Sequence, residues 1–452
     1  MTNERSNKAN GRRASDRPGV LIIGGGFAGL ATARQLNKTE ANVALLDRKN
    51  HHVFQPLLYQ VATASLSPAS ISAPIRSALG PKSECQVVLS NVVGIDLDQK
   101  RVFVEEGSVP YDYLVLAVGV RHDYFGNEQW EAFAPGLKTL EDATEIRRRM
   151  LLAFESAEHE ADKAARRAAL TFAVVGGGPT GVELAGAIKS IASKTLPREY
   201  RNIDTTTARV ILFQGGSRVL ESFPGSLSKR AERDLNTLGV EVHLNSRVSS
   251  VNEDGVVVED QLIPAQNVFW AAGVRASPIL KSLGVPLDRS GRVIVGPDLS
   301  VPGHPEVFVI GDAASYTPVG SDRPLPGVAQ VAMQMGRYAG RIIHEEVETG
   351  TSKSRSAAFV YRDKGSMAII GKNKAIAAVG KLHLAGFFAW LLWAVVHIVF
   401  IVGFRNRARV LLSWILGWLF NSHDARLITG ESRLRVKEPQ GPGFEPVDSR
   451  PK

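Results

Sequence analysis

Cysteine is nearly absent from this chain of 452 residues: Cys85 stands alone. A single thiol excludes a disulfide framework and a Cys-x-x-Cys redox pair, and it suits a reducing compartment. Histidine, cysteine and carboxylate side chains nowhere gather at metal-ligand spacing, so no metal site is expected. The first 17 residues, MTNERSNKANGRRASDR, lack an apolar core and are expected to be a disordered lead-in instead of a signal peptide. Long apolar runs are scarce too, and the uncharged ones, residues 384–404 and 410–420, lie near the C-terminal end.

What is present is 44% apolar and 22% charged, a globular composition with room for about two or three domains. The net charge of +9 is unevenly placed. From residue 351 onward sixteen Lys and Arg face six Asp and Glu, which leaves the rest of the chain close to neutral. A basic tail suits either nucleic acid or an anionic membrane, and its neighbours decide between them.

The run Leu21-Ile22-Ile23 passes through Gly24, Gly25 and Gly26 into a helical pattern at Phe27, Ala28 and Gly29. The spacing Gly24-x-Gly26-x-x-Gly29 is a dinucleotide fingerprint: a tight turn, close approach of backbone N–H groups to a pyrophosphate, and close helix packing. A second strand at residues 42–46 ends in Asp47, about twenty residues on, where a ribose-binding carboxylate belongs. The pattern recurs at Gly176-x-Gly178-x-x-Gly181, with its next strand at residues 209–213. Two fingerprints predict two dinucleotides on two similar α/β folds. Buried strands ending at Gly119 and Gly273 should close the two folds, and residues 141–160 read as a charged-faced connecting helix.

The second fold departs from pattern where an acid should meet the ribose. Gln214 stands there, followed by Gly215, Gly216, Ser217 and Arg218. Gln does not repel a 2′-phosphate and Arg218 is placed to pair with one, so NADH and NADPH both stay open. The alternative is that Gln214 bonds the ribose hydroxyls and Arg218 is solvated. After the strand at residues 307–310, Asp312 reads from pattern alone as a plain helix cap. Residues 326–337 should begin a helix on which Gln330 and Gln334 share a face with low Ala329 and Ala332 beside them. Amides so placed suit a quinone carbonyl, although an ordinary amphipathic helix has the same periodicity.

The order of fingerprint, LAVG strand, second fingerprint, WAAGV strand and IGDAA turn resembles the two-dinucleotide flavoprotein reductases over residues 18–345. More specifically, AQVAMQMG from Ala329, FQPLLYQVATA from Phe54 and KGSMAIIGKNKAIA from Lys364 are similar to the type II NADH dehydrogenases. The resemblance implies an α/β architecture of two Rossmann-like, glutathione-reductase-like domains and a C-terminal membrane-anchoring helical region. The implied FAD domain is residues 18–125 with 275–350, the NAD(P)H domain 126–274, and the membrane region 351–452. It further implies FAD on Gly24 to Gly29, Asp47, Arg48, Asn50, the backbone of Val92, Ala117, Gly119, Asp312, Ala329 and Gln330. NADH is implied on Gly176, Gly178, Gly181, Gln214 and Gly273. Glu183, Gln330 and Gln334 fall at the quinone side, Glu183 as a helper of proton transfer. The missing cysteines disfavour disulfide reductases and sulfide-oxidising quinone reductases alike.

Residues 384–404 carry no charge and one histidine, a length that suits a transmembrane helix; Arg405, Arg407 and Arg409 and a shorter run follow. Four of the six tryptophans lie in these runs, as at membrane interfaces. A single span, a buried dimer helix and a helix lying in the interface compete, and the resemblance favours the last, with residues 384–420 against the bilayer surface and no nucleic acid. The expectation is an enzyme passing hydride from NADH to FAD and two electrons to a membrane quinone, without proton pumping. It would be a homodimer on the cytoplasmic face of a bacterial plasma membrane. The rivals are a reductase of a soluble iron–sulfur protein, against which the tail argues, and a flavin-binding redox-sensing scaffold without turnover.

Overall fold

Val20, Leu21, Ile22 and Ile23 are all buried, so the strand Gly19–Ile23 is apolar on both faces and lies within a sheet covered on two sides. The computed structural model describes residues 17–420 and 425–429, and the expected disordered lead-in up to residue 16 lies outside them. Gly19–Ile23 pairs in parallel with Asn42–Asp47 on one edge and Tyr113–Leu116 on the other. The six strands run in the order Ser300–Val301, His304–Val309, Tyr113–Leu116, Gly19–Ile23, Asn42–Asp47, Gln86–Leu89, antiparallel at the first pair alone. Strand order therefore reverses beside Gly19–Ile23, and such a switch point opens a crevice beyond the carboxyl ends of the strands. The helix Phe27–Gln35 packs on the helix Ala329–Thr349 at backbone range, with Thr32 Oγ1 donating to Gly336 O at 3.1 Å.

The chain divides into two compact units. Among the described residues, the first comprises those up to Val53, Ser72–Arg121 and Val274–Lys364; the second comprises Phe54–Ile71, His122–Gly273 and those from Gly365. The segment Phe54–Ile71, expected with the first fold, is thus part of the second. Its helix Leu58–Ala62 is buried at every position and packs on the helices Leu140–His159 and Pro179–Lys194. A helix buried all round needs neighbours on all sides, and these two supply part of that cover.

The second unit repeats the plan of the first. Val240–His243, Arg209–Phe213, Thr171–Val175 and Asn267–Trp270 form a parallel sheet in that order, with the switch point beside the wholly buried Thr171–Val175. Thr139 opens Leu140–His159 with a capping box closed by Asp142. From Ser366 an antiparallel sheet of Ser366–Gly371, Lys374–Val379 and Leu382–Ala385 packs on Pro179–Lys194.

The apolar run at residues 384–404 is not one helix. Its first residues end the strand Leu382–Ala385, Gly386 turns at φ 78°, and the helix Phe387–Phe400 has 14 residues. Gly403, at φ 86°, precedes a second helix, Phe404–Phe420, which carries Arg405, Arg407 and Arg409 in its opening turns. At 1.5 Å per residue the first helix reaches roughly 21 Å, short of the ~30 Å hydrocarbon core. Among the described residues no helix is long and apolar enough to cross a membrane, so the single-span alternative falls.

A Cβ on Gly186 would overlap the carbonyl oxygen of Ile370, so the seam between Pro179–Lys194 and Ser366–Gly371 depends on that missing side chain. Gly→Ala inside a helix ordinarily gains about 0.5–1 kcal/mol. Here overlap with backbone reverses the sign: Gly186→Ala is expected to destabilise by about 1–3 kcal/mol, read as a lowered Tm in a thermal melt.

Candidate active site

The two glycine turns are built alike, atom for atom. Gly24 (φ 104°) donates its N–H to Leu46 O at 2.8 Å, and Gly176 (φ 111°) donates to Phe213 O at 2.8 Å. A side chain on Gly29 would overlap Gly24 O, and one on Gly181 would overlap Gly176 O, so each helix sits directly on its own turn. Gly25 N–H donates to Asp47 Oδ2 at 2.6 Å, and Gly177 N–H donates to Gln214 Oε1 at 2.8 Å. The third glycine differs from these. A Cβ on Gly26 or Gly178 would meet no protein atom within 4 Å, and no side chain caps either helix. This open ground at a helix N-terminus is the cradle that a pyrophosphate fills, so both turns fit a dinucleotide.

The remaining residues expected at the flavin spread over the first unit. Ala117 N–H donates to Ile23 O at 2.8 Å and carries the strand Tyr113–Leu116 into the crevice, and Gly119 turns at φ 65°. Asp47 Oδ1 accepts from Lys49 N–H at 2.7 Å, while Arg48 and Asn50 are exposed on the loop that follows. Val92 begins the strand Val92–Asp96, paired with Val104. Asp312 lies in the 3₁₀ turn Gly311–Ala313, which is pinned by Gly311 N–H to Met335 Sδ at 3.3 Å. A Cβ on Gly327 would stand 3.1 Å from the Asp312 carboxyl carbon, so that glycine keeps the carboxylate uncrowded.

Ala329 and Gln330 open the helix Ala329–Thr349 as expected, but the amides have work within the chain. Gln334 Nε2 donates to Arg362 O and its Oε1 accepts from Arg362 N–H, both at 3.0 Å. Gln330 Oε1 accepts from Lys364 N–H at 3.2 Å. The pair clamps the backbone of residues 362–364 onto the helix.

In the second unit a cavity of about 850 Å³ extends from Gly176–Gly178 past Gln214, Glu221 and Arg247 to Trp270 and Gly273. Its size suits a dinucleotide. Trp270 packs between Tyr124 and Trp130 and donates from Nε1 to Asp123 O at 2.9 Å. Phe125, held at φ 55°, lies over Gly273, where a Cβ would stand 2.7 Å from its ring.

A second cavity of the same unit, about 160 Å³, is lined by Tyr59, Gln60, Glu183, Lys194, Ile369–Lys372 and four tryptophans, Trp390, Trp393, Trp414 and Trp418. Glu183 comes from the opening turns of Pro179–Lys194, the helix that starts at the second glycine turn. Burial pushes its carboxyl up to about 8, against the opposing effect of Ile369 N–H, which donates to Oε1 at 3.3 Å. Burial, and then Glu183, raise the Tyr59 hydroxyl well above its ordinary range. A chain of bonds fixes the wall: Trp414 Nε1 donates to Gln60 Oε1 at 2.7 Å, and Gln60 Nε2 to Tyr59 Oη at 2.8 Å. Trp393 Nε1 is buried without a partner.

Three positions escaped the sequence reading. His52 is buried, its Nδ1 is 3.2 Å from Gly25 O, and its ring stands edge-on to Phe27. Burial drops its pKa to about 4, so the neutral Nδ1–H tautomer supports the first turn. Phe125 and Glu221 reach the larger cavity from loops, and no local pattern marks them. Cys85, its thiol pushed up to about 11 by burial, is no nucleophile at neutral pH.

Residues 18–336 match the model of the pyridine nucleotide-disulphide oxidoreductases, and the chain belongs to that class. Residues 364–423 match the NDH2 C-terminal domain. Together with its close relatives, this makes the chain a member of the type II NADH:quinone oxidoreductase family. It is 42% identical to the type II NADH:quinone oxidoreductase Ndh of Mycobacterium tuberculosis, over 93% of this chain and 92% of that one. An internal alternative NAD(P)H-ubiquinone oxidoreductase of Arabidopsis thaliana is 30% identical, over 92% and 87%. The fold is shared with NDH2 of Plasmodium falciparum in complex with NADH, at TM-score 0.84 and 19% identity over 90% of this chain and 100% of that one.

The two turns are separable by experiment. Gly29→Ala is expected to lower the flavin-to-protein ratio of the purified enzyme severalfold. Gly181→Ala should keep its flavin and raise the NADH concentration for half-maximal flavin reduction by about tenfold or more, since a backbone overlap of this kind costs ~1–3 kcal/mol.

Proposed function

We propose that this chain oxidises NADH, with FAD as its cofactor, and reduces a quinone drawn from a lipid bilayer. The observation that carries this reading is the small tryptophan-lined cavity. It holds a carboxyl that keeps its proton at neutral pH, and its lining includes residues of two helices with exposed apolar faces. Bound FAD supplies the chemistry of a two-electron carrier that takes hydride from a nicotinamide.

The protein's part is to hold and to supply. The first glycine turn, Asp47, Arg48, Asn50, Val92, Ala117, Gly119 and Asp312 hold FAD on the first unit, with Ala329 and Gln330 on the flavin side. The second turn, Gln214 and Gly273 hold NADH on segment 126–274. Quinone reduction consumes two protons with its two electrons, and Glu183 is the group positioned to give one from a site with little water. Trp393 Nε1–H offers an unused donor to a carbonyl oxygen in the same cavity. Gln330 and Gln334 order residues 362–364 and would meet a quinone only by releasing that backbone.

Residues 351–452 make the membrane region, its exposed Phe388, Leu391 and Val395 entering the acyl boundary while Arg405, Arg407 and Arg409 meet anionic head groups. The working form is a homodimer on the cytoplasmic face of a bacterial plasma membrane, and electron transfer is not coupled to proton pumping.

The test is the pH profile of quinone reduction by the full chain in lipid vesicles. Glu183 gives up its proton near pH 8, so the rate is expected to hold below that point and to fall above it. Glu183→Gln, which keeps the shape and has no proton to give, should lower the rate by about 10²-fold and abolish the alkaline fall. Flavin bleaching by NADH, followed separately, reports that the variant is folded. An unaltered profile in the variant removes Glu183 from the reaction, and reduced flavin that quinone leaves bleached points to a soluble protein acceptor.

A further inference from the structure

We propose that Glu221, recruited through Gln214, is the residue that makes this site prefer NADH over NADPH. The proposal rests on reading the second fold as the nicotinamide nucleotide site and specifies how that site discriminates.

The two turns show what became of the missing acid. Asp47 performs two tasks in the first fold: its Oδ2 accepts from Gly25 N–H at 2.6 Å, and it brings a negative charge to the end of the strand Asn42–Asp47. Gln214 performs only the first, through Oε1 and Gly177 N–H at 2.8 Å. Its other amide group, Nε2, donates to Glu221 Oε1 at 3.1 Å. A carboxylate therefore stands beside the strand end after all, supplied by the following loop, and both residues line the cavity. Gly216 makes the approach possible, because a Cβ there would overlap Glu221 Oε1 and stand 3.0 Å from Gln214 Nε2.

Arg218, the cation that the sequence offers to a phosphate, donates through Nη2 to the backbone carbonyl of Glu221 at 2.7 Å. It fixes the loop that presents the acid. Arg247 is the cation among the lining residues and acts in the opposite sense, favouring a phosphate. The carboxylate prevails by position, because it is bonded to the strand-end side chain where a ribose 2′-hydroxyl belongs. A hydroxyl donates to a carboxylate, whereas a phosphate has only acceptors and negative charge to set against it.

The experiment measures kcat/KM for NADH and for NADPH with the full-length, flavin-loaded enzyme in lipid vesicles at one ionic strength. The wild type should prefer NADH. Glu221→Gln is expected to shift the NADPH/NADH ratio of kcat/KM toward NADPH by about tenfold or more, the size that loss of one like-charge contact supports. Gly216→Ala, whose methyl displaces the carboxylate without removing its charge from the protein, should shift the ratio the same way. Glu253→Gln removes an equal charge from the exposed turn after Asn252 and should leave the ratio in place. The proposal is overturned by an unmoved ratio in both Glu221→Gln and Gly216→Ala, by an equal shift in Glu253→Gln, or by a wild type that prefers NADPH. In each of those cases NADH or NADPH still bleaches the flavin and the site reading stands. Bleaching by neither nucleotide sinks that reading, and this proposal with it.

Discussion

One hydrogen bond, made twice, organises both nucleotide folds: the second glycine of each turn gives its N–H to a side-chain oxygen at the end of the neighbouring strand. The first glycine gives its own N–H to the backbone of that strand, from Gly24 to Leu46 and from Gly176 to Phe213. Two donors that would otherwise be buried without partners, at about 1–3 kcal/mol each, are thereby satisfied by the protein itself. The turn cannot relax away from the strand, and the groups left facing the crevice are those at the helix N-terminus. Asp47 makes the bond at 2.6 Å and Gln214 at 2.8 Å. The bond needs only an oxygen, so a carboxylate serves in the first fold and an amide in the second.

Desolvation organises the rest of the second unit. Glu183 sits just past the first turn of the helix Pro179–Lys194, where the helix dipole has largely fallen off. Its carboxyl holds its proton to about 8, because burial outweighs the single N–H from Ile369. Its neighbours make that burial possible: Tyr59 is uncharged throughout the physiological range, and Gln60 is turned by Trp414 so that its amide faces Tyr59. One helix thus starts on the second glycine turn and, a turn later, carries a carboxyl that burial keeps protonated.

The sequence displayed the features that local rules govern. The buried runs Leu21–Ile23 and Ala173–Val175, the glycine spacings and Asp47 at its distance are consequences of short-range geometry, and each stands where periodicity put it. The two glycine turns were legible for this reason, and Glu183 was singled out by family resemblance alone. His52, Phe125 and Glu221 were not legible, because each acts through a contact made by folding: with Gly25 O, over Gly273 and with Gln214. The packing of Phe54–Ile71 within the second unit was not legible either. Nothing in FQPLLYQVATA says which unit will cover it, and the answer depends on Leu140–His159 and Pro179–Lys194. The paired glutamines were visible as a shared face, but the sequence had no means of showing that residues 362–364 would reach them first.

Hydropathy misjudges the tail for a related reason, since it counts apolar residues without asking where the backbone turns. Gly386 and Gly403 both adopt positive φ, and between them the chain forms a helix too short to span. Phe388, Leu391, Val395 and Val399 recur at helical spacing and are exposed, while Trp393 on the other side is buried against Trp414 and His397. Leu412, Ile415 and Leu419 continue an exposed apolar face on the second helix. A continuous face of this kind is costly in water and calls for a cover. A bilayer interface supplies one that also accommodates the neighbouring arginines, because acyl chains take the apolar side chains while head groups stand within reach of guanidinium. A protein partner would have to match both features by shape, whereas a lipid surface matches them by its layered chemistry alone. That asymmetry favours the lipid surface proposed above over a protein partner as the cover of this face.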